Sequence, residues 1–340
     1  MFAWWAVACA GSYGREYVLT GGRLPGGAPV ELWVRDGRLA GVGPRVRPPD
    51  GVPQHALDGR FVVPAFVDSH VHLAYLPEAR AMLEGGVVAV VDLAAPLDRL
   101  PREEGLRISW SGPMVTSVGG YPVTSWGAGG YGTEVGTAEA ARAAVRRNAA
   151  AGARVIKVPF EAPQHDDATL RAIVDEAHQR ELLVVAHALD DAGAARAAAF
   201  GVDGLAHTPI EPLSEATVAA WRGRFVVSTL AAFGATPGAV ENLTRLRAAG
   251  VKVVYGTDFG NTSTPGIDAA ELAALQRAGL DGAAILEAGT STPALLWGFP
   301  GLGKLQVDAA ACFLVLDEDP LAAPAALARP AEVFLDGRAL

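Results

Sequence analysis

Cysteine is nearly missing from this chain: 340 residues hold two, Cys9 and Cys312. They form no CxxC pair and no zinc-type spacing, so neither a disulfide framework nor a Cys-rich metal site organises the fold. Cys312 lies in ACFLVLD, a strand-like run, and reads as a small buried side chain. Charge is scarce as well, at 19% of residues, and the formal net charge is −9. Basic residues cluster nowhere beyond VRR at 145–147. Phosphate binding needs a basic surface, so a nucleic-acid partner is excluded. No apolar run reaches the roughly 18 residues of a membrane span, so no integral span is expected. No GxGxxG follows the first strand, which removes the support for a doubly wound open sheet. No convincing repeat is present.

What is abundant is hydrophobic: half the residues, enough for a sizeable core and too many for a disordered chain. The N-terminus, MFAWWAVACAG, is apolar and ends somewhat like a lipoprotein cleavage site. It lacks a basic n-region and its apolar stretch is very short. The expectation is a cytoplasmic protein whose residues 1–16 are an apolar extension. The alternative is the remnant of an export signal, or a lipid anchor through the Cys9 region.

Short β-like runs follow, EYVLTGG, VELWVRDGRLAGVG and ALDGRFVV, with DG and GG at the turns. The last residues, ACFLVLDEDP and EVFLDGRAL, share this style. Both chain ends therefore read as one small β unit, residues 17–60 plus 301–340. Between 61 and 300 short apolar runs alternate with Ala-rich amphipathic segments. The strand candidates are FVVPAFVDSHVHL, VVAVVDLA, ISWSGPMVTS, RVIKVPF, LLVVAHAL, GLAHTP, RFVVSTL and KVVYGTDF. Helices read between most of them. Leu170, Ile173, Val174 and Ala177 share one face of DATLRAIVDEAHQR, with Asp167 available as N-cap, and Thr236 precedes Pro237 at the start of another helix. Eight strands alternating with helices predict an α/β fold, a (β/α)8 TIM barrel over 61–300. The long Gly-rich connection at 119–137, with interleaved aromatics, is the candidate lid.

Side chains alternate along a strand, so Asp68, His70 and His72 share a face at the end of the first barrel strand. Later strands carry polar residues at the corresponding point: Lys157, His187, His207 and Asp258. His55, His165 and His178 sit in ordinary contexts. One such histidine alone would be a hydrogen-bonded core residue. Six groups at matching strand ends need compensation, because each unpaired buried polar group costs roughly 1–3 kcal/mol. A divalent cation supplies it, and imidazole and carboxylate donors suit Zn²⁺ and similar ions. Lys157 is the odd member. It is either deprotonated or turned toward a carboxylate such as Glu161, or else converted by CO2 into an anionic carbamate.

These motifs resemble the amidohydrolase superfamily, in its imidazolonepropionase-like and dipeptidase-like branch. They are PAFVDSHVH at 64–72, GARVIKV at 152–158, VVAHALDDAGAARAAAFGVDGLAH at 184–207 and VVYGTDFGN at 253–261, and the tail agrees. The resemblance implies two divalent ions, with His70, His72 and Asp258 on one and His187 and His207 on the other. An N6-carboxylated Lys157 and a hydroxide would bridge them. It also implies that the end unit is β-sandwich-like. Three departures stand out: Pro64-Ala65 where relatives have Pro-Gly, His187-Ala188-Leu189 where many read His-Ala-His, and PFEAPQ after the lysine.

Bound divalent metals bring water close to ionisation at neutral pH and polarise a carbonyl. Asp258 is placed to take the hydroxide's proton and pass it to a leaving nitrogen. The expected reaction is hydrolysis of an amide-type C–N bond, linear or cyclic, in a small molecule. Tyr121, Trp126 and Tyr131 in the lid, and Asn261 and Thr262 after Asp258, are candidate substrate contacts; packing the loop and capping a helix are their other readings. A deaminase of the same superfamily is the main rival, and such enzymes carry Glu where this chain has Asp190. A non-catalytic metal-binding barrel is the second. A homo-oligomer is compatible with either.

Overall fold

The computed structural model describes residues 13–340, so the Cys9 region lies outside the described residues. The first strands are β1 (Glu16–Arg23), β2 (Pro29–Arg35), β3 (Arg38–Gly43), β4 (Gln54–Ala56) and β5 (Phe61–Pro64). The parallel part of the chain holds β6 (Phe66–Val71), β7 (Val87–Asp92), β8 (Arg107–Trp110), β9 (Met114–Thr116), β10 (Gly132–Glu134), β11 (Val155–Pro159), β12 (Leu183–His187), β13 (Gly204–Leu205), β14 (Phe225–Val227) and β15 (Lys252–Val254). The last are β16 (Phe313–Leu316), β17 (Glu332–Leu335) and β18 (Arg338–Ala339).

Both chain ends build one eight-stranded sheet, in the order β18-β17-β16-β5-β1-β2-β3, with β4 beside β1. Its two tightest hairpins turn on Asp36-Gly37 and Asp336-Gly337, all four residues at positive φ. Asp-Gly suits such two-residue turns because glycine has no Cβ to clash there. Tyr17, Leu19, Leu32, Phe313 and Phe334 form the core of this sheet.

The run FVVPAFVDSHVHL, read above as one strand, divides at Ala65. Phe61–Pro64 pairs with β16 and belongs to the end sheet, whereas Phe66–Val71 pairs with β7. Pro64 has no N–H to extend a ladder. The division has a packing consequence: neighbouring residues face opposite ways, so Val62 enters the end-sheet core and Val63 the larger one. ISWSGPMVTS likewise breaks, at Gly112-Pro113, into β8 and β9.

The remaining strands are parallel and alternate with helices, an α/β arrangement. They form a sheet β6-β7-β8, a sheet β11-β12-β13-β14-β15, and the pair β9-β10. The first two meet where β6 runs beside the chain after β15: Ser69 N–H donates to Tyr255 O (2.9 Å) and Asp258 N–H to His70 O (2.9 Å). At the other edges only Arg154 N–H to Trp110 O (3.1 Å) reaches across from the chain before β11 to β8, and no ladder joins β9 to β11. The closed eight-stranded ring expected from the sequence is not found among the described residues: the parallel strands form two sheets and the pair β9-β10, with no continuous ladder around them.

Helix ends follow local chemistry. Asp166, not Asp167, caps the helix Asp167–His178, accepting from Thr169 N–H at 2.7 Å. A cap must stand outside the helical backbone, and Asp166 does, at ψ 165°. Thr236 caps Pro237–Ala248 as its sequence predicts. Among the described residues no helix is long and apolar enough to cross a membrane.

Candidate metal centre

Parallel strands deliver their last residues to one rim. His70 and His72 come from the end of β6, Lys157 from β11, His187 from the last position of β12, His207 from just after β13, and Asp258 from just after β15. All six are buried. His70 Nε2 lies 3.2 Å from His72 Nε2, 2.9 Å from Lys157 Nζ and 3.3 Å from an Asp258 oxygen, which is itself 3.0 Å from His72 Nε2. The imidazoles of His70 and His207 have centroids 4.4 Å apart, and those of His187 and His207 4.8 Å.

Two donors are oriented from behind. His70 Nδ1–H donates to Ala206 O at 2.8 Å, which leaves its Nε2 lone pair facing the cluster. His207 Nδ1 contacts Thr229 Oγ1 at 3.0 Å. The loop carrying Asp258 is held by Asp68, the first member of the alternating face. Its carboxylate accepts from His70 N–H (3.0 Å), Thr257 N–H (3.1 Å) and Thr257 Oγ1–H (2.5 Å). Asp258 has φ +56° and Thr229 φ +40°, a left-handed region that side chains with a Cβ seldom adopt.

The electrostatics are those of a crowded donor set. Burial and the Lys157 ammonium push His70 well below the usual imidazole range, so it is neutral and able to ligate. Burial, with the neighbouring His70, does the same to His207. Burial alone would raise the Asp258 carboxyl, but His70, His72 and His207 around it hold it well below the usual range. Burial lowers Lys157 to about 8, against the pull of Asp258 and Asp92.

His70, His72 and Asp258 have ligating atoms within 4.8 Å of one another, the spacing of a shared cation. The fit is supported by the fixed His70 tautomer and by two imidazole nitrogens and a carboxylate oxygen at the corners of a triangle with sides of 3.0 to 3.3 Å. His187 and His207 flank this trio. His187 Nε2 contacts Glu161 Oε1 at 2.8 Å, and its Nδ1 has no partner among the described residues. Glu161 thus serves His187, and Lys157 is not turned toward it.

The Gly-rich connection covers the rim. Tyr121 stacks on His187, with centroids 4.4 Å apart and planes 20° apart. Trp126 packs edge-on to His72 at 5.1 Å and donates from Nε1 to Tyr121 OH at 2.8 Å. Tyr131 instead packs the loop down: it is 7% exposed and its hydroxyl donates to Ala74 O. Asn261 donates from Nδ2 to both Asp258 oxygens, at 3.1 and 3.3 Å. Sequence reasoning passed over Asp92, which ends β7 at the same rim and accepts from Ala74 N–H at 3.0 Å. The strand-end rule that found the histidines applies equally to VVAVVD.

Parallel strands with a candidate His/His/Asp cation site at their C-terminal rim match the construction of α/β enzymes, whose sites gather at that rim. The chain belongs to the amidohydrolase family, whose model matches residues 61–340. That family is generally metal-dependent, and the chain is an enzyme of its hydrolase class. It is 28% identical to an uncharacterized protein of Mycobacterium tuberculosis over 93% of each chain. A crystal structure of a Bifidobacterium longum protein provisionally assigned as a prolidase superposes with TM-score 0.77 at 25% identity, covering 96% of this chain and 94% of that one. The crystal structure of an amidohydrolase superposes with TM-score 0.79 at 24% identity, over 96% and 98%.

Proposed function

We propose that this protein hydrolyses an amide-type C–N bond, linear or cyclic, in a small molecule, using two divalent ions, with zinc the first candidate. His70, His72 and Asp258 would hold one ion, His187 and His207 the other, with Lys157 between them. The two parallel sheets are read as arcs of one (β/α)8 barrel, and the end sheet as a separate small domain, expected over residues 17–60 plus 301–340 and reaching Pro64 through β5. The observation that carries the reading is the convergence of His70 Nε2, His72 Nε2 and the Asp258 carboxylate around one point.

When bound, divalent ions supply a water acidified toward neutrality and polarisation of the scissile carbonyl. The chain supplies the rest. Asp258, ionised at neutral pH, accepts the proton of the attacking water and delivers it to the leaving nitrogen. Asn261 holds that carboxylate in place from the loop side. A Lys157 amine held near 8 by burial has a neutral fraction at ordinary pH. Its nitrogen then bonds to CO2 and loses one proton to solvent, which replaces a cation among cations with an anionic bidentate group. Tyr121 and Trp126 shield the histidines from water and offer aromatic faces to an apolar substrate moiety.

Asp190 favours hydrolysis over deamination. Its carboxylate caps the helix Asp191–Ala199, accepting from Gly193 N–H at 2.7 Å, and is not turned to the site. Retention of every donor speaks against a non-catalytic barrel. The deciding experiment is metal analysis combined with a screen of N-acyl amino acids, dipeptides and cyclic amides. The expected result is about two ions per chain and hydrolysis of at least one amide class. Asp258→Asn is expected to lower kcat/KM by about 10² or more while the protein stays folded. Ammonia from aminated heterocycles with one ion per chain would replace this reading with deamination.

A further inference from the structure

Lysine is rarer here than composition alone suggests: the whole chain has three, Lys157, Lys252 and Lys304. One is in the metal centre. The other two both line a cavity of about 550 Å³ at the opposite end of the parallel strands. Lys252 begins β15 and Phe225 begins β14, whereas Asp258 and Thr229 follow the other ends of those strands. Asp258 lies six positions along the chain from Lys252, roughly 20 Å if extended.

The cavity has two kinds of wall. Its floor is apolar and closed, made by Phe225, Val254, Leu280 and Ala288, each no more than 4% exposed. Its rim carries Arg247, Lys252, Lys304 and Glu287. None of these four makes an ion pair among the described residues. Arg247 donates one N–H to Gly279 O at 3.0 Å, and its remaining donors have no partner among the described residues. On a chain of net charge −9, three unpaired cations against one carboxylate make a local field of the opposite sign. A buried apolar floor beneath such a rim matches the usual construction of a small-ligand site, apolar walls with a few placed polar groups.

We propose that this cavity is a second ligand site, separate from the metal centre, for a small monocarboxylate with an aromatic or branched aliphatic body. The body lies on Phe225 and Val254. The carboxylate accepts charge-assisted hydrogen bonds from Lys252 and Lys304. Glu287 lowers the rim's net charge and so favours a monoanion over a dianion. The proposal does not depend on which bond the metal centre cleaves.

The test is calorimetric titration of the metal-loaded protein with 4-phenylbutyrate, its neutral amide and inorganic phosphate. The expected result is a Kd below about 1 mM for the carboxylate, with the amide and phosphate at least about tenfold weaker. Lys252→Gln/Lys304→Gln removes charge from exposed positions and is expected to weaken the carboxylate at least about tenfold while leaving hydrolysis at the metal centre unchanged. Ala284→Trp, which fills the cavity, is expected to abolish binding. Binding that is equal in wild type and both variants would place the ligand elsewhere and overturn the proposal, as would no binding to wild type. Phosphate binding as tightly as the carboxylate would reduce the rim to a counter-ion patch. Leu295, 86% exposed on the same rim, gives the remaining outcome. A dimer in sedimentation that Leu295→Glu dissociates, without carboxylate binding, would assign this face to a second copy of the chain.

Discussion

Asp68 and Thr257 are 189 residues apart in sequence and joined by two hydrogen bonds in a fully buried setting. Their bond ties the strand bearing His70 to the turn bearing Asp258, whose left-handed backbone needs outside support. Removing one partner strands the other. Thr257→Val keeps the shape and deletes the donor. It is expected to destabilise the metal-free protein by about 1–3 kcal/mol in urea unfolding and to lower metal occupancy. Unchanged stability would mean that the hydroxyl contributes nothing to the turn. At the lid, Tyr121 acts through its ring face on His187. Tyr121→Phe retains that face and is expected to keep activity. Tyr121→Ala is expected to raise KM and to speed proton exchange at His187. Equal effects of the two substitutions would assign the role to the hydroxyl that accepts from Trp126.

Helix Ala269–Arg277 braces the chain after β14 through one side chain. Glu271 is fully buried and accepts from Ala231 N–H at 2.7 Å. Burial raises its carboxyl from 4.5 to about 7. The folded state therefore keeps this proton at pH values where the unfolded chain has lost it. The contribution is full below about 4.5, falls as pH rises, and is lost above about 7. Wild type should lose at most about 3 kcal/mol more over that window than Glu271→Gln does. Parallel profiles for the two proteins would show that Glu271 ionises normally. Asp190 gives a second test at this scale. Asn is as good an N-cap as Asp, so Asp190→Asn is expected to leave stability and hydrolysis unchanged, whereas a proton-transferring Asp190 would lose activity. Element boundaries were the least legible part of the chain. Asp166 and Asp167 are equally good caps by type, and only the backbone angle selects between them. The split at Ala65 depends on β16, some 250 residues away, competing for Val62 and Val63.

Over the whole molecule, the proposed metal centre would draw its donors from five strands of two parallel sheets, so bound ions would act as cross-links. Chelation is expected to abolish hydrolysis and lower the melting temperature, and adding back a divalent ion to restore both together. Restored melting temperature without restored activity would separate the ions from the chemistry. The strand ends bearing His70, His72, Lys157, His187, His207 and Asp258 were readable from the residues alone. A polar side chain closing an apolar run has few explanations, and six in register have fewer. Period and composition likewise determined the alternation of strand and helix, because burying one face of each element requires it. What only the tertiary structure decided are the long-range partnerships. Glu161 faces His187 rather than Lys157, Asp68 reaches Thr257, β5 leaves the parallel strands for the end sheet, and two lysines line one cavity with a buried apolar floor away from the histidines. Contacts of this kind depend on which surfaces the packed chain brings within a few ångströms, and local sequence pattern carries no record of that choice.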